Sequence, residues 1–433
     1  MLLARKFFML RQIILLVISW VPVLALAAEP VRENWPGWRG PRGDGTSLEA
    51  DAPTTWDGAS GENVRWKIPV PGKGHASPIV WKDRLFLTTC LEDSGNRELL
   101  CIDAVTGEKL WQQTVVNALL EKKHDLNSFA SSTPVTDGEL VYVTFLVPDF
   151  SSTKERTPGE MIVAAYDFSG QQKWLVKPGR FVSQHGYCSS PILFEDMVIV
   201  NGDHDGDSYL IALKRATGEQ VWKIPRANKT RSYVTPIIRE IGGRTQMVLS
   251  GSKAVTSYNP RNGEQHWTMR GPTEQFVASM VYNGEHLFLT AGFPDYHILC
   301  IKPDGSGDVT DTHIVWRTQK SCAYVPSPIV IGDYFLVVAD GGVGTCFRAA
   351  TGDVLWRERL GSHYSASLVT ANGLAYFTAD DGITKVIRPG QELTVVAENK
   401  LGQRTYASPA ISGGKLYLRG EKDLFCIGPA AGK

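Results

Sequence analysis

The sequence predicts an all-β protein, an eight-bladed propeller of four-stranded blades closed by pairing the N-terminal strand with the last three strands. Three observations carry this. A short signature ending in tryptophan recurs down most of the 433 residues. The tryptophans at 66, 111, 174, 222, 267, 316 and 356 are separated by 45, 63, 48, 45, 49 and 40 residues. A hydroxyl residue opens each unit: Ser77, Thr133, Ser190, Thr235, Ser279, Ser327, Ser367 and Ser408, most followed by proline. A repeat of roughly 40–50 residues holding several short apolar runs is what a propeller blade requires.

The N-terminus reads as an export signal. Arg5, Lys6 and Arg11 precede an apolar run over 13–26, and Ala25-Leu26-Ala27 has the small residues of a cleavage site. The run is short of the roughly 20 apolar residues a spanning helix needs. The expected organisation is a signal peptide at 1–27, a lead-in at 28–61 and the propeller at 62–430, in an exported, periplasmic or extracellular protein. An uncleaved signal acting as a membrane anchor stands as the other reading. The lead-in 35–45 (WPGWRGPRGDG) is expected to wrap the outer side of the ring.

Each unit divides into four strands. In the third they are expected at 190–194, 197–201, 209–214 and 220–224, with Glu195-Asp196 and Thr217-Gly218 as turns. The long gap between Trp111 and Trp174 contains the polar segment 148–160, read as a surface loop. The chain ends are out of phase. Residues 62–69 (ENVRWKIP) are a fourth strand with no first three, and 406–428 hold three strands with no fourth. Pairing them closes the ring and removes its open sheet edges.

The unit ends Asp103-Ala-Val-Thr-Gly107-Glu-Lys-Leu-Trp111, Lys214-Arg-Ala-Thr-Gly218-Glu-Gln-Val-Trp222 and Arg348-Ala-Ala-Thr-Gly352-Asp-Val-Leu-Trp356 resemble the PQQ-repeat, quinoprotein-like propeller family over nearly all of 62–428. The resemblance implies that Trp66, Trp111, Trp174, Trp222, Trp267, Trp316 and Trp356 pack between blades over a neighbour's Thr-Gly turn. These are structural residues rather than a cofactor box. Large aromatics at each wedge contact supply area and set register.

The family holds quinone-dependent dehydrogenases and BamB-like propellers of the outer-membrane assembly machinery. The dehydrogenases place the quinone PQQ over calcium and commonly carry an adjacent cysteine pair. No Cys-Cys and no haem-attachment motif occurs here. Nor is there a nucleophile elbow, a His-Glu-x-x-His, a P-loop or a Gly-x-Gly-x-x-Gly. A non-catalytic binding or scaffold role with no cofactor is therefore expected, with a protein or peptide partner in the envelope. A PQQ- and calcium-dependent oxidoreductase and a glycan-binding module stand as alternatives. With 45 basic and 45 acidic residues the chain lacks the basic excess of a nucleic-acid binder. A monomer is expected.

The candidate site is the channel mouth. An aromatic or imidazole precedes each hydroxyl start: His75, Phe129, Tyr187, Tyr233, Phe276, Tyr324, Tyr364 and Tyr406. All are expected near one end of the channel, with Arg231 and Arg404 on a charged rim suited to a peptide, a glycan or a small anion. Packing groups that fill a tapering pore are the competing reading. Asp203, Asp205 and Asp207 alternate as calcium ligands do, yet no Glu closes an EF-hand loop, and a turn explains them as well. The seven cysteines suggest no disulfide framework. They read as small buried hydrophobes, and Cys90 and Cys101, which could face each other across a hairpin, are the one disulfide to test.

Overall fold

The computed structural model describes residues 31–150 and 156–429. The signal-peptide reading lies outside them. Among the described residues all regular structure is β, arranged as eight antiparallel blades. Blades 1 to 7 span 79–117, 135–183, 192–225, 237–270, 281–318, 329–359 and 369–400. Blade 8 is composite. Ala410–Ser412, Lys415–Arg419 and Asp423–Ile427 supply its first three strands, and Val64–Pro69 its fourth. Trp66 pairs with Cys426 in that closing ladder. The ring therefore has no loose terminal blade.

First strands are only two to five residues long, as with Val135–Thr136 and Ile237–Ile241, because space narrows toward the axis. Their hydroxyls knit the ring together. The Ser77 amide donates to Thr133 Oγ1, Thr133 to Ser190 Oγ, Ser190 to Thr235 Oγ1, Ser279 to Ser327 Oγ, Ser327 to Ser367 Oγ and Ser367 to Ser408 Oγ, at 2.9–3.2 Å. Each hydroxyl satisfies a buried amide next door that its own strand leaves unpaired.

Five of the seven repeat tryptophans dock on the next blade. The indole N–H of Trp66, Trp111, Trp174, Trp222 and Trp316 donates to Ala104, Phe168, Arg215, Pro260 and Ala349 carbonyls in the next blade's turn. The turn glycine must be glycine for two reasons. Gly218 has φ +74°, and a Cβ there would lie 2.7 Å from the Trp174 ring. Two tryptophans depart from the pattern. Trp267 bonds Gln246 of its own blade, because the next turn is replaced by a longer excursion whose Gly307–Asp308 adds in parallel beside Trp267. Trp356 is buried without a hydrogen-bond partner.

Three sequence expectations need correction. The segment 148–160 is not all loop: the third strand of blade 2 starts at Thr157, and Arg180–Ser183 pairs onto its extension. Cys90 and Cys101 do not face each other. In their hairpin Cys90 opposes Arg97 and Cys101 opposes Phe86, and all seven cysteines are free. A one-strand register choice decides such a pairing, and hydrophobic pattern leaves it open. The lead-in 35–45 does not wrap the outside but crosses the face where first strands end. Trp35 bridges to Val80 of blade 1, the Thr136 amide of blade 2 donates to Pro36, and Trp38 Nε1 donates to Ser279 of blade 5. Arg39 reaches the Pro328 carbonyl of blade 6, Asp44 pairs with Arg239 of blade 4, and Gly45 accepts from Thr370 of blade 7. Glu49 receives the Gly413 and Gly414 amides of blade 8. Only 54–58 follows an outer strand, along Asn399 and Lys400.

Candidate functional site

The hydroxyl ring sets the phase of everything that faces the channel. In extended backbone, alternate residues point the same way. The residues two before each hydroxyl are therefore aimed at the axis. They are His75, Ser131, Cys188, Tyr233, Val277, Val325, Ser365 and Tyr406, and all eight line one cavity. Below them lie the Ser190, Thr235, Ser279, Ser367 and Ser408 hydroxyls, and Trp38 of the lead-in forms the floor. The channel is therefore a blind well of about 460 Å³, open at the end where fourth strands lead into first strands.

This phase separates the sequence candidates. His75, Tyr233 and Tyr406 stand two residues before the hydroxyl and face the well. Tyr187, Phe276 and Tyr364 stand three before it and point into blade packing. Tyr187 meets Phe181 edge-on, and Phe276 and Tyr364 sit in hydrophobic clusters. Phe129, four before, packs under Arg97 and Lys123. Tyr324 is also three before, yet it lines the well and directs its hydroxyl toward Gln275 Oε1 at 3.4 Å. The expectation that all eight gather at the mouth is corrected: four line the well, and the others fill the spaces between blades.

The charged groups are also sorted. Arg231 lines the well, but Nη1 contacts both Asp205 oxygens at 2.8 and 2.9 Å. Asp203 is buried against Arg226, and exposed Asp207 meets Lys229. Arg156 also meets Asp205 at 3.4 Å, so the three carboxylates pair with different cations and have no common focus. Arg404 stacks over Tyr406 at 5.2 Å instead of lining the well.

Residues outside that set of candidates complete the wall. His124, Leu126 and Asn127 come from the connection between blades 1 and 2, and His185 from the connection into blade 3. Gln275, Phe293 and Asp340 close the side of blades 5 and 6. Burial, reinforced by Arg419 and Lys123, lowers the His75 pKa to about 3. Burial and Arg231 lower that of His185 to about 4, so both imidazoles are neutral near pH 7. Asp340 accepts the Tyr324 and Val325 amides while burial pushes its pKa up. The Tyr233 hydroxyl is buried with no protein partner. His75 packs against Tyr406 with centroids 4.5 Å apart and ring planes tilted by 31°, and Leu126 and Phe293 stand exposed at the lip.

A closed ring of eight wedges with an axial well open on one face defines an eight-bladed β-propeller. A family model described as outer membrane protein assembly factor BamB matches residues 49–146, 101–279 and 307–433, and the chain belongs to this PQQ-repeat family. No curated protein matches the sequence. Among solved structures, BamB from Moraxella catarrhalis is 12% identical with a TM-score of 0.56, over 84% of this chain and 99% of that one. The quinohemoprotein alcohol dehydrogenase from Comamonas testosteroni is 10% identical with a TM-score of 0.65, over 94% and 82%. A europium-containing methanol dehydrogenase is 10% identical with a TM-score of 0.54, over 92% and 98%. At such identities the likeness shows the fold, and function rests on the site.

Proposed function

We propose that the protein is a non-catalytic binding propeller of the bacterial envelope that recognises a protein or peptide partner at the mouth of its well. The observation that supports this most is the lip. Leu126 and Phe293 are 41% and 49% exposed and flank the opening. Leu119 and Tyr296, also exposed, lie on the same two connections. Exposed apolar side chains around a depression suit a partner that lays an apolar segment on the lip. Membership in the BamB family supports an envelope location.

The well's donors fit the family's quinone poorly. PQQ carries several carboxylates and sits over calcium, which takes six to eight oxygen ligands. Among the described lining residues the one carboxylate is Asp340, already accepting two amides, and the one Lys or Arg is Arg231, already paired with Asp205. No three His, Cys, Asp or Glu side chains among the described residues are placed to hold a metal ion.

The test is affinity capture from envelope extracts with the wild-type chain and a Leu126→Glu, Phe293→Glu variant. A partner that co-elutes with wild type and is lost with the variant is expected. Equal capture by both, or dye reduction by the protein after loading with PQQ and calcium, would overturn the reading.

A further inference from the structure

Arg231 has one nitrogen that the protein does not use. Nε is buried without an acceptor. Nη1 lies against both Asp205 oxygens at 2.8 and 2.9 Å. Nη2 has no hydrogen-bond partner among the described residues, yet it is not one of the buried unsatisfied atoms. The N–H pair left for a ligand is therefore that of Nη2, on a side chain that lines the well. The charge around it does not cancel. Arg156 also meets Asp205 at 3.4 Å, so two guanidiniums share one carboxylate. Beyond burial, Arg231 and Lys122 press the His185 pKa down, as Arg419 and Lys123 do for His75. Asp340 is the opposing charge on the wall, but each of its oxygens already accepts an amide, from Tyr324 at 2.7 Å and Val325 at 3.0 Å. The remaining surface is mostly apolar, with Leu126, Val277, Phe293 and Val325 beside the rings of Tyr406 and Trp38.

We propose that the well binds a hydrocarbon body carrying a single carboxylate, with the carboxylate on Arg231 Nη2 and the body against Leu126, Val277, Phe293 and Val325. Each part of this class answers a feature of the wall. An apolar surface rewards a ligand that buries hydrocarbon. It also weakens screening, so a fixed cation at its edge attracts an anion more strongly than it would in water. A wholly apolar ligand would leave Nη2 unsatisfied, and an amine would meet the excess positive charge. One free nitrogen serves one carboxylate, whereas a polyacid would press its other charges onto hydrocarbon. Tyr324 offers a second donor. Its hydroxyl is held by Gln275 Oε1 only at 3.4 Å, a long contact that a charged acceptor can replace. Burial raises the pKa of that hydroxyl to about 12 against the pull of Arg231, so it keeps its proton. The volume of about 460 Å³ lies within the roughly 300–1,000 Å³ of small-molecule sites. The same chemistry occurs in a free acid and in the C-terminal residue of a peptide, and the test separates the two.

The full chain is titrated by calorimetry and saturation-transfer NMR with hexanoate, octanoate, phenylacetate and hydrocinnamate, each beside its primary amide. An acetylated tripeptide ending in phenylalanine is tested as the free acid and as the C-terminal amide. Acetate and citrate are the polar controls. At least one apolar acid should bind saturably, about tenfold tighter than its own amide, as one charge-assisted hydrogen bond implies. It should also bind more tightly than either polar control. Saturation by the free acids identifies a small ligand, and saturation by the peptide acid alone identifies a chain end; both support the seat on Arg231. Arg231→Gln should weaken the acid about tenfold and leave the amide where it was, a split that a merely structural role would not produce. Its melting curve shows whether the ring is kept. Val277→Glu leaves the Arg231–Asp205 pair in place and should abolish acid binding by adding a carboxylate to the wall. The titrations use the isolated chain, so they stand or fall apart from capture of a partner at the lip. The proposal is overturned if no acid in the series binds saturably, if the amides or the polar controls bind as tightly, or if acid affinity survives either variant unchanged.

Discussion

Replacing Trp66 by alanine should open the ring at its closure and nowhere else. Trp66 lies on Val64–Pro69, the one strand that joins the chain's beginning to its end. Its indole N–H reaches the Ala104 carbonyl at 3.3 Å, and its ring packs against Gly107 and lies 6.0 Å from Tyr417. A tryptophan buries roughly 150–250 Å² when fully enclosed. Trp66 is half-buried, so about 100 Å² at ~25 cal/mol per Å² gives ~2.5 kcal/mol. The hydrogen bond adds about 1 kcal/mol. A local loss of about 3 kcal/mol corresponds to roughly a hundredfold more opening. Amide exchange read by mass spectrometry should therefore accelerate about a hundredfold in 64–69 and 423–427, which form one ladder. Trp174→Ala is the control. It removes an equivalent docked indole from a blade whose strands are continuous in sequence, so its effect should stay near 172–176. Exchange at 64–69 within threefold of wild type in the Trp66 variant would refute the reasoning, as would equal acceleration there in the Trp174 variant.

Acid should weaken the fold through His75 and His185. Their folded pKa values are lowered below the ordinary imidazole value of about 6.5, so the unfolded chain binds protons first. Stability should be fully present above pH ~6.5 and fall as pH drops toward 4, and His75→Gln with His185→Gln should flatten that slope in urea melts. All seven cysteines should titrate with a thiol reagent in denaturant without reductant, and almost none in the native state, since burial pushes thiols such as Cys90 and Cys426 up to about 11. Mass spectrometry showing a Cys90–Cys101 bond would contradict this. Arg39→Ala should cost about 2–3 kcal/mol, because this buried guanidinium binds the Pro328 and Asp44 carbonyls and its loss strands them. A variant as stable as wild type would show that the lead-in is not held by its arginine.

Legibility differed sharply between ring and well. The Thr-Gly…Trp ends could be read directly, because a left-handed turn that abuts an indole restricts residue type at both places. The site was half legible. Choosing aromatics wherever they preceded the hydroxyl mixed two phases, so Tyr187, Phe276 and Tyr364 entered beside His75, Tyr233 and Tyr406. Counting back by two from each hydroxyl would have drawn out Ser131, Cys188, Val277, Val325 and Ser365, which carry no aromatic signal. Nothing local marks Trp38, His124 or Gln275 as lining residues, since each arrives on an irregular connection.

The sequence alone determined the class of architecture, the number of blades and the manner of closure. Those depend on hydrophobic alternation, turn chemistry and repeat phase, all written within a few tens of residues. Tertiary structure alone decided that the channel is sealed at one end, that Arg231 pairs with Asp205, and that Cys90 and Cys101 lie apart. Each of these rests on a contact between distant segments or on a choice of register. Trp38 meets Ser279 across 241 positions of chain, and such distances are set by the whole ring closing at once.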